Sequence, residues 1–158
     1  MRSTLLAATL LVLAIAYAQE TQTPQPRGRV LGIGGVFFKS PNQQELYAWY
    51  EKHLGFKREP KVGVRFHWRL PGHPDRHDST TWGIFKSTSK YFDPSPSPFM
   101  INYVVDDLDA ILKRLEAEGV KIDPRRESDA AGKFAWIYDS DGNKIELWEP
   151  GKEVLAGK

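Results

Sequence analysis

Apolar and polar positions alternate along the chain in two blocks that predict the same order of strands and helices. In the first block, residues 30–39 are mostly β-branched, aromatic or glycine, which predicts a strand. A helix is predicted next because apolar residues recur at the spacing of one helix face, at Leu46, Trp49 and Tyr50. Gly55 follows as a helix stop, and two short strands are predicted at about residues 64–70 and 81–87.

The second block repeats this order. Residues 99–105 predict a strand, and the spacing of Leu108, Ile111 and Leu115 predicts a helix that ends at Gly119. Residues 134–138 and 144–148 predict a hairpin. The six residues that start at each helix-ending glycine also share one pattern, which is Gly, apolar, Lys, any residue, acid and Pro. The sequence therefore predicts an α+β domain in which one βαβββ unit occurs twice, with a ligand cleft between the copies.

Segments outside the two blocks predict export and set the domain boundaries. A basic start, an apolar stretch from Leu5 to Ile15 and the small residues of 16–18 are typical of a signal peptide over residues 1–18. Residues 19–29 are predicted to be a flexible linker and residues 151–158 a frayed tail. The domain is predicted over 30–150, with module one at about 30–92, module two at about 98–150 and a proline-rich connector between them.

Export predicts a secreted or periplasmic protein. The apolar stretch is shorter than the roughly 20 residues that a membrane span needs, so no stable span is expected after signal cleavage. An uncleaved anchor is the alternative. The formal net charge of +2 gives no electrostatic case for nucleic-acid binding. The absence of cysteine excludes disulfides, thiolate metal ligands and a cysteine nucleophile. A small organic molecule is the expected partner.

Four segments of the sequence carry a family resemblance. They are residues 34–38, 49–56, 105–109 and, above all, Asp-Gly-Asn-Lys-Ile-Glu-Leu-Trp-Glu-Pro at 141–150. Together they resemble landmarks of the vicinal oxygen chelate superfamily of glyoxalases, bleomycin-resistance proteins and extradiol dioxygenases. The resemblance covers residues 30–150 and implies two paired βαβββ modules that form an open, cup-like mixed sheet with the helices outside. It also implies that a homodimer is an option.

The same resemblance implies a divalent metal such as Zn, Ni, Mn or Fe, held by the first and last strands of each module. Counting from the two helix-ending glycines puts Gly35, Trp82, Met100 and Glu146 at the ligand positions. Gly, Trp and Met do not supply the hard oxygen or imidazole donors that such metals prefer. Glu146 is therefore the one remaining metal-ligand candidate, and the inherited metal site is predicted to be dismantled.

Glu146 and His67 are the candidate catalytic residues. Strand alternation puts Ile145 and Leu147 on one face, so Glu146 faces the cup if the helices cover the other two. Glu146 can then be a solvated or ion-paired carboxylate, a ligand anchor or a general base. His67 can join it as base or ligand if its strand face is concave, and otherwise it is a surface histidine.

Aromatic and polar strand residues are predicted to complete the ligand site. The candidates are Phe37, Arg65, Trp82, Met100, Asn102 and Trp136. The expected function is that of an exported protein that acts on or binds a small organic molecule in the cup. The alternative is a metal-dependent glyoxalase-type lyase or isomerase, or a dioxygenase, with Glu146 as ligand or base. A purely structural module is a third interpretation, so the residues leave open whether the protein is an enzyme.

Overall fold

The computed structural model describes residues 27–157. The predicted signal peptide and most of the predicted linker lie outside these residues. The strands are β1 Val30–Ser40, β2 Arg58–Glu59, β3 Gly63–Trp68, β4 Asp78–Lys86, β5 Phe99–Val105, β6 Ile122–Asp129, β7 Gly132–Tyr138 and β8 Lys144–Pro150. The helices are α1 Gln43–Leu54, α2 Leu108–Ala117 and α3 Lys152–Leu155.

All eight strands form one mixed sheet in the order β2-β3-β4-β1-β5-β8-β7-β6. The first strands of the two units, β1 and β5, pair antiparallel at its centre. Each of them pairs in parallel with the last strand of its own unit, β4 or β8. The predicted α+β architecture of two paired βαβββ modules is confirmed, and the two halves of the sheet have the same strand order outward from the centre.

The helices cover one face of this sheet. On module two, α2 buries Leu108 and Ile111 in a cluster that includes Leu147. The cluster stabilises the fold because each such side chain contributes roughly 1.5–3 kcal/mol when it leaves water. Asp107 caps α2 by accepting a 2.9 Å hydrogen bond from the Ala110 N–H. Gly55 ends α1 at a φ of 68°, a conformation that other residues adopt at a cost. The opposite face of the sheet is concave and free of helices α1 and α2.

The connector between β4 and β5, residues 87–98, includes the proline-rich segment and packs on the concave face. The Tyr91 ring stacks on Phe85 at a centroid distance of 5.5 Å and meets the Trp136 ring edge-on at 6.1 Å. Phe92, Met100 and Trp136 form a fully buried cluster beneath it. The connector therefore covers part of the module two half of the cup and joins the two modules through apolar contacts.

Both ends of the described chain are held by the domain. The backbone N–H groups of Gly28 and Arg29 donate to Asp106 Oδ1 at 2.8 and 2.7 Å. In the tail, residues 152–155 form α3, and the Leu155 carbonyl accepts a 2.9 Å hydrogen bond from the His77 N–H. Within residues 27–157, the helices are all too short or too polar to cross a bilayer.

Candidate functional site

One row of paired residues crosses the concave face from β3 to β7. The strand register places them in the order Arg65, Thr81, Gly35, Asn102, Glu146 and Trp136. Directly paired residues in a sheet point to the same face, so the whole row faces the cup. The symmetry of the two modules makes Gly35 the counterpart of Asn102, Thr81 that of Glu146 and Arg65 that of Trp136. This row is the frame of the candidate site.

Glu146 is the buried carboxylate of the row, with 3% of its surface exposed. Its Oε1 accepts a 2.6 Å hydrogen bond from Asn102 Nδ2. Its Oε2 accepts one of 2.9 Å from Trp136 Nε1 and another from the Tyr91 hydroxyl. Burial raises the pKa of Glu146 above its ordinary value, although the three hydrogen-bond donors act to lower it. The carboxylate is therefore fixed in one orientation and holds a proton more readily than a solvated glutamate.

Tyr91, on the connector, is a site residue that the sequence interpretation missed. Burial, together with the charge of Glu146, raises the pKa of its phenol, so the hydroxyl keeps its proton and donates a hydrogen bond to the carboxylate. The buried Lys144 holds this part of the connector, because its Nζ donates to the carbonyl oxygens of Tyr91 at 3.2 Å and Asp93 at 2.9 Å. Lys144 is thus a positioning residue for Tyr91.

Asn102 carries the one buried side-chain polar atom that has no hydrogen-bond partner among residues 27–157, its Oδ1. The residue opposite this oxygen is Gly34, the extra residue of a β-bulge in β1. A Cβ atom on Gly34 would lie 2.2 Å from Asn102 Oδ1, so only glycine leaves room there. The glycine at the bulge therefore leaves the space that the buried amide oxygen of Asn102 occupies.

The cup encloses a cavity of about 650 Å³. Module one contributes Gly34, Phe37, Arg65 and His67 to its lining, among others, and the segment 153–157 closes part of the rim. Module two contributes Asn102, Phe134, Glu146 and Trp148. Small-molecule sites are commonly concave and of this volume, with apolar walls and a few polar groups.

Comparison with known proteins agrees with this architecture. The family model of the Glyoxalase/Bleomycin resistance protein/Dioxygenase superfamily matches residues 32–147. The chain belongs to that superfamily. The family resemblance predicted from the sequence is therefore confirmed. A search of curated proteins finds no match.

Solved structures of the superfamily share the fold. A methylmalonyl-CoA epimerase from Mycobacterium tuberculosis is 22% identical, with a TM-score of 0.51 over 79% of this chain and 91% of that one. A methylmalonyl-CoA epimerase in complex with methylmalonyl-CoA and NH4+ is 13% identical, with a TM-score of 0.57 over 81% of this chain and 99% of that one. A Streptomyces coelicolor methylmalonyl-CoA epimerase variant in complex with 2-nitronate-propionyl-CoA is 14% identical, with a TM-score of 0.56 over 80% and 99%. At these identities the likeness is one of fold.

The residues at the four positions where the superfamily resemblance implies metal ligands do not suit a divalent metal. The row puts Gly35, Thr81, Asn102 and Glu146 at the first-strand and last-strand positions of the two modules. Catalytic metals are usually held by sets of His and carboxylate ligands. These four positions offer a single carboxylate, which already accepts three hydrogen bonds from the protein, together with an amide, a hydroxyl and a glycine. In the described part of the chain, His, Asp and Glu side chains form no group of three that could hold a metal ion.

The structure brings most of the site residues predicted from the sequence together in the cup. Of the predicted residues, Phe37, Arg65, His67, Asn102 and Glu146 line the cavity. Met100 and Trp136 belong to the same face but are fully buried beneath the cavity, where they support it. Ligand binding or catalysis by these residues stays a prediction.

Trp82 is placed differently from the sequence interpretation. It lies on the helix-covered face, where its ring packs against Tyr47, Tyr50 and Phe56 at centroid distances of 5.8, 4.5 and 5.2 Å. The residue of β4 that belongs to the row is its neighbour Thr81. A count that is wrong by one residue moves a strand position to the other face of the sheet, which is what separates Trp82 from the cup.

Proposed function

We propose that the protein binds a small organic molecule in the cavity between its modules, with Asn102 and Glu146 as hydrogen-bond acceptors at the floor. The observation that carries this proposal is the unpartnered Oδ1 of Asn102 beside the carboxylate. A buried polar atom without a partner costs about 1–3 kcal/mol, and a donor on a ligand would remove that cost. The proposed ligand therefore carries a hydroxyl or an N–H group that reaches the floor.

The apolar walls support an organic ligand. Phe37, Phe134 and Trp148 line the cavity, and the last two stack with their ring planes 2° apart. Aromatic side chains of this kind provide large flat surfaces on which a ligand can pack, while the few polar groups set its orientation. The donor set at the floor favours binding that does not depend on a metal over the metal-dependent glyoxalase or dioxygenase alternative.

A second candidate function is proton transfer at a carbon atom of the bound ligand. The observation that favours it is the raised pKa of Glu146, which burial produces. General bases and acids work best when their pKa lies near the working pH, and burial is a common way to raise that of a carboxyl group. In this function Glu146 would accept a proton from a carbon next to a carbonyl group and return it, as in an isomerase or a lyase.

Binding is tested with a fragment library and ligand-detected NMR, followed by titration of the Trp fluorescence. Asn102→Ala is expected to weaken the hits about tenfold, equivalent to about 1.4 kcal/mol for the lost acceptor. Asn42→Ala is the matched control, because Asn42 is exposed before α1 and its side chain makes no capping hydrogen bond. Equal affinities for wild type and Asn102→Ala would contradict binding at the floor.

The two candidate functions separate in heavy water. Proton transfer is supported if wild type catalyses exchange of a carbon-bound hydrogen of the ligand for deuterium and Glu146→Gln does not. Binding without any exchange supports the binding function alone. Chelator treatment of the protein is expected to leave the affinity unchanged. An affinity that is lost with the chelator and restored by Zn, Ni, Mn or Fe would instead favour the metal-dependent alternative.

We also propose that the protein is exported. The support is the signal-like sequence of residues 1–18, with a basic start, an apolar stretch and small residues before Gln19. Mass spectrometry of the protein from the periplasmic or secreted fraction of expressing bacteria is expected to show a chain that begins at Gln19. An intact Met1 in the cytoplasmic fraction would contradict export.

A further inference from the structure

We propose that the module one wall of the cavity is an anion subsite, so that the ligand is a small organic carboxylate or phosphate monoester with a hydroxyl or amine at its other end. The proposed subsite consists of Arg65, His67 and His77. This inference rests on the proposed binding function and adds the chemical class of the ligand. It follows from the charge on the two sides of the cavity and from the register row that joins them.

The two sides of the cavity offer opposite chemistry. The floor on module two presents acceptors, Asn102 Oδ1 and the Glu146 carboxylate. The wall on module one presents Arg65, His67 and His77, all of which line the cavity. An arginine is a permanent cation with several N–H donors, and a histidine ring carries at least one donor and becomes a cation when protonated. A ligand that satisfies both sides needs a donor at one end and an anionic group at the other.

Three acidic residues lie close to the wall, and of these Glu153 lines the cavity without an ion pair to Arg65, His67 or His77 in the described chain. Asp78 also lines the cavity, but Arg76 binds both of its carboxylate oxygens at 2.8 Å. Arg65 has one acidic neighbour, Glu59, at 3.4 Å from Nη1, and both side chains are more than 40% exposed. Ion pairs as exposed as this one are weak. This one uses only Nη1, so the other N–H donors of the guanidinium can bind a ligand.

The histidine rings of the wall also have unused capacity. Neither the His67 ring nor the His77 ring takes part in a hydrogen bond or an ion pair with any other residue of the described chain. Gly157, in the tail segment, lies beside the His77 ring, where a Cβ atom on it would be 3.3 Å from the ring. The tail therefore holds His77 in place at the rim without using its nitrogen atoms.

The register row gives the subsite a fixed relation to the floor. Arg65 and Glu146 belong to the same row, separated by Thr81, Gly35 and Asn102. Four strand spacings of about 4.8 Å make about 19 Å along the sheet. The curvature of the cup shortens this distance, and the length of the arginine side chain shortens it further. A ligand lying over Gly35 would therefore lie between Arg65 on one side and the floor residues Asn102 and Glu146 on the other.

The experiment uses compounds that share a carbon skeleton of two to six atoms and a hydroxyl group, and differ only at the other end. One arm has a carboxylate, one a phosphate monoester and one an uncharged primary amide. Calorimetry on the full mature chain is expected to show the anions binding about tenfold tighter than the amide. The stronger of the two anionic arms identifies the chemical source of the charge.

Arg65→Gln is expected to reduce this preference to less than about threefold while leaving the amide affinity unchanged. Arg65→Lys, which keeps the charge but not the two-pronged geometry, should lie between the two. Arg114→Gln is the control for net charge, because Arg114 is exposed on α2, away from the cavity. It should behave like wild type.

Two results would overturn the anion subsite without touching the proposed binding function. The first is an amide that binds wild type as tightly as the anions, and the second is an Arg65→Gln variant that weakens anions and amide alike. Absence of binding by every compound, charged or neutral, would overturn the binding function and the subsite together. The Arg65 variants are expected to unfold at the same denaturant concentration as wild type because the side chain is exposed.

Discussion

The two halves of the concave face share one backbone pattern, but the residues at equivalent positions differ in chemical type and in burial. On module two, Asn102, Glu146 and Trp136 are 3%, 3% and 0% exposed. Of their counterparts on module one, Gly35 is also buried, whereas Thr81 is partly buried and Arg65 is exposed. The connector contributes to the difference, since the Tyr91 hydroxyl donates to Glu146 and Phe92 is buried with Met100 and Trp136. A duplicated sheet has thus become one buried floor and one open wall.

This asymmetry divides the work between the halves. The floor is held by hydrogen bonds among Asn102, Glu146, Trp136 and Tyr91, so its acceptors are in place before a ligand arrives. Such preorganisation reduces the ordering that binding would otherwise require. The wall has long, partly exposed side chains that can adapt to a ligand. Substitutions on the floor should therefore change stability, whereas those on the wall should change affinity alone.

The largest expected difference is between Trp136→Ala and Arg65→Ala, at equivalent places in the two halves of the row. Trp136→Ala removes a fully buried ring and a donor to Glu146, so it should lower the free energy of unfolding by about 3–5 kcal/mol. Arg65→Ala should change it by about 0.5 kcal/mol or less, as is usual at exposed positions. Urea unfolding of both variants gives the comparison, and similar losses would show that the wall is as structural as the floor.

Lys144→Met should have the next largest effect on stability. Methionine keeps most of the buried volume but leaves the carbonyl oxygens of Tyr91 and Asp93 without their donor, at a cost of about 2 kcal/mol. Hydrogen exchange should become faster in the connector at residues 90–95. Lys133→Met is the matched control, because its ion pairs with Asp109 and Glu149 are partly exposed. Equal rates of amide hydrogen exchange at residues 90–95 in the two variants would contradict the positioning role of Lys144.

The fold and the floor of the site could be predicted from the sequence because periodicity and strand alternation decide them. The face of Glu146 followed from its place between Ile145 and Leu147, and those two residues do contact the α2 cluster. The position of Trp82 could not be obtained by counting. Glu146 lies 27 residues after Gly119, but its counterpart Thr81 lies 26 residues after Gly55. Module one has a β2 of 2 residues and module two a β6 of 8, so equal counts do not reach equivalent positions.

Tyr91 and Gly34 could not be found from local patterns either. Tyr91 lies in a connector whose path depends on contacts with Lys144, which is 53 residues away. Gly34 has its role because of a β-bulge that appears only when β1 pairs with β5. Both depend on long-range pairing, which a periodic pattern does not encode. A tyrosine beside a proline-rich segment was the available signal, and it does not indicate which carboxylate the residue reaches.

Tyr91→Phe should separate the hydrogen bond of the connector from its apolar packing. The ring stays, so the free energy of unfolding should fall by only about 1 kcal/mol. The pKa of Glu146 should rise further, because the Tyr91 hydroxyl is a donor that lowers it. Tyr138→Phe is the matched control, since it removes a 2.6 Å hydrogen bond to Asp123 outside the cup. Carboxyl NMR titration of Glu146 should show a shift for Tyr91→Phe alone, and a shift in both variants would mean that the effect is indirect.

The smallest expected effect is on the pH dependence of stability. Burial raises the pKa of Glu146 above its ordinary value of 4.5, so the folded state binds this proton more tightly than the unfolded chain. The stabilisation from Glu146 is complete below pH 4.5 and is lost as the pH rises through the folded pKa. Glu146→Gln cannot ionise, and its stability relative to wild type should therefore increase with pH in that window.

Two partly buried carboxylates elsewhere in the domain have pKa shifts of the opposite direction, so the pH effect of Glu146 is measured by difference. Asp106 and Asp123 have lowered pKa values, against which burial acts, because hydrogen bonds from neighbouring groups favour their charged forms. Their contributions have the opposite sign, but they are common to wild type and Glu146→Gln and cancel in the comparison. Thermal unfolding of both proteins from pH 4 to pH 8 gives the difference curve. A flat curve would show that Glu146 is as easily ionised as a solvated glutamate, and the floor would then lack the property on which proton transfer depends.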